Sequence, residues 1–194
     1  VNSERVSRML RTYSLILDYP VYEGVSDFIE QVRSVMPQGE EAAEAFLDAL
    51  ACMNIVDVQK EYVESFDMNS SAPLYLTAWE LGDSRNRGNA LIDIKKLIAS
   101  YKFSIVKQEL PDYIPLILEF LSEIPYDEWP PALETRLQAY FSGIVGKVGS
   151  RLYSSVIEAL GSKFRKREDL PVHEPVRADT GEMPFPVRYD GSDY

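Results

Sequence analysis

The sequence has one cysteine, Cys52, and one histidine, His173, among 194 residues. A lone cysteine excludes an internal disulfide, and a lone histidine excludes any site built on a histidine pair, so structural zinc has no obvious ligand set. No Gly-rich phosphate loop, Cys-x-x-Cys, Gly-x-Ser-x-Gly or His-Glu-x-x-His occurs anywhere. Each pattern is required by its chemistry for a mechanical reason, so nucleotide, thiol-redox and zinc-hydrolase readings lose support, and no cofactor or metal is expected. Basic residues are also scarce: 20 Lys and Arg face 31 Asp and Glu, a net charge of −11. Such a surface repels a phosphate backbone and an anionic bilayer leaflet, which argues against nucleic acid and favours basic partners. No apolar run approaches the ~20 residues that a bilayer span needs, and polar residues interrupt the N-terminus where a signal peptide has its apolar centre. The expectation is a soluble, cytoplasmic protein without stable membrane insertion.

What is present is helical patterning. Apolar residues recur at three- and four-residue spacing through residues 4 to 161 with little period-two alternation, which predicts an all-α, single-domain helical bundle. At this length about two-thirds of the unfolded chain's surface can be buried. Ser3 is placed to cap a first helix carrying Val6, Met9, Leu10, Tyr13, Ile16 and Leu17, ending before Pro20. Ser26 opens a second, stopped by Pro37, and a third runs from Gly39 to Met53. Within it Cys52 reads as buried packing rather than a nucleophile. A fourth helix spans Ile55 to Phe66, and a short one after Pro73 ends at Gly82, a residue that tolerates the left-handed backbone. Asp83 or Ser84 is expected to cap a long helix through Tyr101, with Gly88 allowing close helix approach. Asp112 is expected to cap the next, with Pro115 in its first turn. From Pro131 the stripe continues to Leu160, with a break expected among Gly143, Gly146 and Gly149. Beyond Arg167 the periodicity stops, prolines recur and acids outnumber Arg177 and Arg188, so residues 1–167 read as the domain and 168–194 as an acidic tail. Lys163, Arg165, Lys166 and Arg167 before it complement a helix C-terminus.

Three segments stand out: Tyr62-Val63-Glu64-Ser65-Phe66-Asp67, then Gly82-Asp83-Ser84-Arg85-Asn86-Arg87-Gly88, then Glu109-Leu110-Pro111-Asp112-Tyr113-Ile114-Pro115. Tyr62, Phe66, Leu74, Tyr75 and Trp79 are dense just ahead of Glu80 and Asp83, which suggests an apolar trough with an acidic rim, suited to an amphipathic peptide with arginines beside an apolar stretch. Arg85 and Arg87 either pair with local acids or the turn near Asp112, or border the groove and orient its carboxylates. Asp112 with Glu119 or Glu109 is the best pair for acid–base chemistry, so a carboxylate-dependent hydrolase using Asp112 and Glu119 is the enzymatic alternative.

In order and spacing these segments resemble the nitrate reductase delta-subunit assembly chaperones, a branch of the TorD-like redox-enzyme maturation proteins. Glu109, Leu110, Pro111 and Asp112 match the family's acidic turn, and Asp83, Ser84, Arg85, Arg87 and Gly88 match its Arg-Gly segment. Tyr113 departs, standing where the family commonly has histidine. The resemblance implies a chaperone, not an enzyme, that binds the N-terminal segment of a molybdenum-dependent oxidoreductase's catalytic subunit. The client would be a nitrate reductase alpha subunit or close relative, the segment a twin-arginine signal or its remnant, and the chaperone a monomer or domain-swapped dimer. On that basis the client's apolar residues would meet Tyr62, Phe66 and Trp79, and its basic residues Glu80, Asp83, Glu109 and Asp112. A stable structural subunit of a redox complex is the non-enzymatic alternative.

Overall fold

The computed structural model describes residues 3–106 and 109–164. Nine α-helices occur among them: α1 Ser3–Leu17, α2 Val25–Val35, α3 Glu41–Leu50, α4 Ile55–Tyr62, α5 Leu76–Leu81, α6 Arg87–Ser100, α7 Ile114–Ser122, α8 Pro131–Ile144 and α9 Arg151–Gly161. The architecture is all-α, and the described residues include no strand beyond one isolated bridge.

Helix α7 is the axis. Ile114 through Leu118, Phe120 and Leu121 are all buried, as expected of a helix apolar on every side. It packs most extensively against α1, whose buried stripe includes Met9, Leu10, Tyr13, Ile16 and Leu17. Two polar ties fix that pairing: the Ser14 hydroxyl donates to the Pro115 carbonyl at 2.8 Å, and Arg11 ion-pairs with Glu119. Helices α2 and α3 pack beside α1, α9 packs on α3 and α8, and α5 sits between α6 and α8.

Several terminators act as the sequence predicts. Gly82 ends α5 at φ +54, and the α8–α9 break falls at Gly146 with φ +76. Two caps not anticipated from the sequence accompany them: Asn54 accepts from the Asp57 N–H at 2.9 Å to cap α4, and Ser150 caps α9 through the Leu152 N–H.

Other expectations are corrected. Helix α2 starts at Val25, with Gly24 rather than Ser26 at the N-cap position and no side-chain cap. Helix α3 ends at Leu50, so Cys52 lies in the following turn and is exposed. The α4 segment does not stay α-helical to Phe66: Val63–Asp67 widens into a π-turn, closed by Met68 N–H donating to the Val63 carbonyl at 2.8 Å. Neither Asp83 nor Ser84 caps α6, whose first residue follows Asn86, and Ser84 Oγ instead accepts from the Asn86 N–H. An added Cβ at Gly88 meets nothing within 4 Å, so this glycine serves no close helix approach. The 167/168 boundary, the tail and Arg165 to Arg167 lie outside the described residues. Lys163 pairs with the buried Glu40 at 3.4 Å.

Candidate functional site

The three segments read from the sequence do converge, but mostly inward. The turn 109–113 lies antiparallel to residues 74–76: Leu76 N–H donates to the Asp112 carbonyl and Ile114 N–H to the Leu74 carbonyl, both at 2.9 Å. Asp112 does not cap its own helix, where Tyr113 holds the N-cap position. Its Oδ2 instead accepts from the Thr77 N–H at 3.0 Å and the Thr77 hydroxyl at 2.5 Å, satisfying the free donors at the start of α5. Arg87 completes the chain by donating Nε–H to Thr77 Oγ1 at 3.2 Å. Thr77 thus joins the Arg-Gly segment to the acidic turn.

Tyr113 acts in place of the expected histidine as a second tie. Its hydroxyl donates to Asp18 Oδ1 at 3.1 Å and lies 2.8 Å from the hydroxyl of Tyr62, which also reaches the Leu17 carbonyl at 3.2 Å. Burial pushes the pKa of both phenols far up, and for Tyr113 the neighbouring Tyr62 and Asp18 add to the effect. These groups hold protons at any physiological pH and act as fixed donors.

The trough expected from Tyr62, Phe66 and Trp79 is therefore corrected. Tyr62 and Phe66 are each 2 % exposed, packed edge-on with Tyr153 in a ring layer that continues to Phe46. Trp79 is half-buried, edge-on to Tyr140 and laid over Gly143. The expected acidic rim is corrected likewise. Glu80 is 1 % exposed and held by both arms of Arg136, at 2.7 and 2.5 Å. Asp112 is fully buried, Glu119 is taken by Arg11, and Glu109 accepts from the Tyr75 hydroxyl at 3.1 Å. Such internal pairing also gives no support to a hydrolytic Asp112–Glu119 couple. Asp83 and Arg85 remain exposed, and Arg87 and Pro111 are half-buried. Thr77, Arg136 and Arg11 were not singled out from the sequence, and no local pattern marks them, because each partner lies in a distant segment.

A concave surface lies beside α4. A cleft of about 850 Å³ opens between α3, the α4–π segment and the start of α9. Ala45 and Ala49 line one bank and Gly149, Ser150 and Ser155 the other, over an apolar floor of Phe46, Met53 and Leu152. Glu61 and Glu64 form its wall, with Arg151 also on the lining. Neither Tyr62 nor Phe66 is on the lining, and the ring layer reaches the cleft only through Phe46. Among the described residues there is no His, Cys, Asp and Glu group arranged to hold a metal, and no helix is long and apolar enough to cross a membrane.

The helical bundle, centred on an apolar α7 with its polar motif residues spent on internal ties, is a fold already known from a solved structure. A solved structure titled as a putative redox enzyme maturation protein from Archaeoglobus fulgidus matches it with a TM-score of 0.61 and 22% identity, over 80% of this chain and 91% of that one. A family model described as "Nitrate reductase delta subunit" matches residues 33–142, more than half of the chain, and the chain belongs to that family. Among its relatives is the nitrate reductase molybdenum cofactor assembly chaperone NarJ of Escherichia coli K12, 31% identical over 121 residues, 59% of this chain and 51% of the relative. The probable chaperone NarW of the same organism is 26% identical over 164 residues, covering 83% and 62%, and the probable NarJ of Bacillus subtilis is 31% identical over 120, covering 60% and 62%. The match thus spans about half the length of the first of these relatives. All three are named as assembly chaperones rather than catalysts.

Proposed function

We propose that this protein is an assembly chaperone that binds the N-terminal segment, a twin-arginine signal or its remnant, of a molybdoenzyme catalytic subunit, the nitrate reductase alpha subunit. It holds that subunit in the cytoplasm while the molybdenum cofactor is installed and takes no part in bond-making itself. The observation that carries this reading is membership of the delta-subunit family together with relatives named for nitrate reductase molybdenum cofactor assembly. Physical support comes from the net charge of −11, which suits a basic client segment, and from an open cleft with an apolar floor. The buried members of the sequence-derived set, Tyr62, Phe66, Glu80, Asp112 and Tyr113, frame the bundle, while Asp83, Arg85, Arg87, Pro111 and the exposed edge of Trp79 stay in the proposal as candidate contacts.

Titration calorimetry of the full chain with a synthetic peptide of the catalytic subunit's leading segment tests the reading. Saturable binding that weakens with salt is expected, and a scrambled peptide should bind far less well. Absence of binding overturns the reading. Copurification with the mature, cofactor-loaded enzyme would replace it with that of a structural subunit.

A further inference from the structure

We propose that the outer face of α6 is the seat of the chain's own acidic segment 168–194, held there by lysine–carboxylate pairs around an exposed isoleucine. This seat does not depend on the client reading above.

Charge is spread unevenly along this acidic chain. Residues 85–106 hold Arg85, Arg87, Lys95, Lys96 and Lys102 against one acid, Asp93, leaving 15 of the 20 basic and 30 of the 31 acidic residues for the rest. Helix α6 buries Ile94 and Ile98 and packs most extensively on α5, while Gly88, Ile92, Lys95, Lys96 and Ala99 on its far side are exposed. Lys95 and Lys96 stand one turn beyond Ile92, to either side of it, and Ile92 is 51 % exposed. No basic residue falls in the last turn of α6, so these lysines do not serve its C-terminal dipole. Lys102 follows the helix at φ +61, carrying a third ammonium at a backbone position where glycine is the easier residue. None of the three lysines pairs with a carboxylate among the described residues.

The acidic segment fits this face in sign, position and reach. It holds seven acids against Arg177 and Arg188, a balance of −5 to meet the +4 of residues 85–106. Leu170, Val172, Met183 and Phe185 stand among those acids and supply apolar cover for Ile92 and for Val106, which is 90 % exposed. Phe164, the last described residue, lies with its ring 5.8 Å from that of Trp129, and the adjoining Glu128 carbonyl accepts from the hydroxyl of Tyr101 at the end of α6. The segment therefore sets out two contacts away from the helix. Helix α6 is about 21 Å long at 1.5 Å per residue, and an extended chain of the segment's length reaches up to ~90 Å. Tethering gives the segment an effective concentration in the millimolar range, which a free acidic protein must match to displace it. An anionic bilayer, by contrast, is a broad plane that also meets the negative remainder of the surface. Seated on α6, the segment cancels a basic face, and the outside of the protein then turns away acidic polypeptides while still drawing basic ones.

The test is zero-length carbodiimide crosslinking of the full chain at low salt, with the joined peptides mapped by mass spectrometry. Lys95, Lys96 or Lys102 should join to acids of 168–194 within one chain, and these joins should vanish in about 1 M salt, where the screening length is ~3 Å. A fluorescent polyglutamate probe followed by anisotropy reads the same contact from outside. The unmodified chain should bind it weakly. Glu168→Gln, Asp169→Asn, Glu174→Gln, Asp179→Asn and Glu182→Gln together should tighten that binding about fivefold or more, by freeing the lysines. Adding Lys95→Gln and Lys96→Gln, both at exposed positions, should remove the gain, with helical circular dichroism unchanged throughout. No gain on neutralising the segment overturns the proposal, as does a gain that persists without the two lysines, which would reflect net charge alone. A map in which the segment joins only Lys163 or Lys166 overturns it too. So do joins found only between chains in an isotope-mixed sample, which would make a second copy the occupant.

Discussion

Asp112 caps a helix from far along the chain: its Oδ2 takes both the backbone N–H and the hydroxyl of Thr77, 35 residues before it, at 3.0 and 2.5 Å. A carboxylate placed this way satisfies an orphan donor and meets the positive end of α5. Asp112→Ala should therefore lower stability by about 1–3 kcal/mol, read as a drop in urea midpoint at unchanged slope. Asp112→Asn, which keeps an acceptor, should lose less. Full stability in the alanine variant would remove this cap from the account, and any peptide-affinity change in it must be corrected for unfolded chain.

Trp79 and Gly143 form a lock of the opposite kind. A Cβ on Gly143 would fall inside the Trp79 ring, with Trp79 already edge-on to Tyr140 at 5.6 Å. Gly143→Ala should cost about 1–3 kcal/mol by overpacking α5 against α8. Trp79→Leu in the same chain should recover part of that, since the two sites share one space. Additive losses in a double-mutant cycle would show that the contact is not what limits residue 143.

Where an element depended on local chemistry it was legible in the sequence. The α1 stripe, the glycine stop at Gly82 and the break at Gly146 follow from periodicity and backbone freedom within a few residues. What was not legible depends on partners far along the chain. Density of aromatics at helical spacing does not distinguish a trough from a core, and Tyr62 and Phe66 proved to be core because Tyr153, some ninety residues on, completes their ring layer. Of the expected rim, Glu80, Asp112 and Glu109 were claimed by Arg136, Thr77 and Tyr75 for the same reason, and Asp83 alone stayed exposed. Ala45 and Ala49, which line the cleft, carried no sequence signal, because small residues shape a concave surface by the side chains they lack.

The Glu80–Arg136 pair gives a sharper test of that internal wiring. Glu80 is buried and bidentately held by a guanidinium that is itself three-quarters covered. Arg136→Met strands a buried carboxylate and should cost about 3–5 kcal/mol, whereas Glu80→Leu with Arg136→Met should return most of it, because an apolar pair needs no desolvation of charge. Peptide binding should survive in the double variant. If its loss tracks Glu80 even when stability is restored, Glu80 belongs to the contact surface after all.

Five buried phenols set the alkaline limit of the fold. Burial raises the pKa of Tyr13, Tyr62, Tyr113, Tyr140 and Tyr153, with Glu40 adding to it for Tyr13 and Glu61 for Tyr153. The half-buried Tyr75, beside Glu109, is pushed up to about 12. A folded pKa above the unfolded value of about 10 means that the neutral phenol is favoured in the native state. The associated stability is complete below pH ~10 and is lost above it, as the unfolded chain releases protons that the native chain retains. Tyrosinate absorbance and helical circular dichroism followed together through this range should show an early partial rise from accessible phenols. The remaining rise should coincide with loss of helix. With 12 tyrosines in the chain, a full absorbance change at intact helicity would mean that the Tyr62–Tyr113–Asp18 tie and its neighbours open to solvent without unfolding, and that the core around α7 is far looser than its packing indicates.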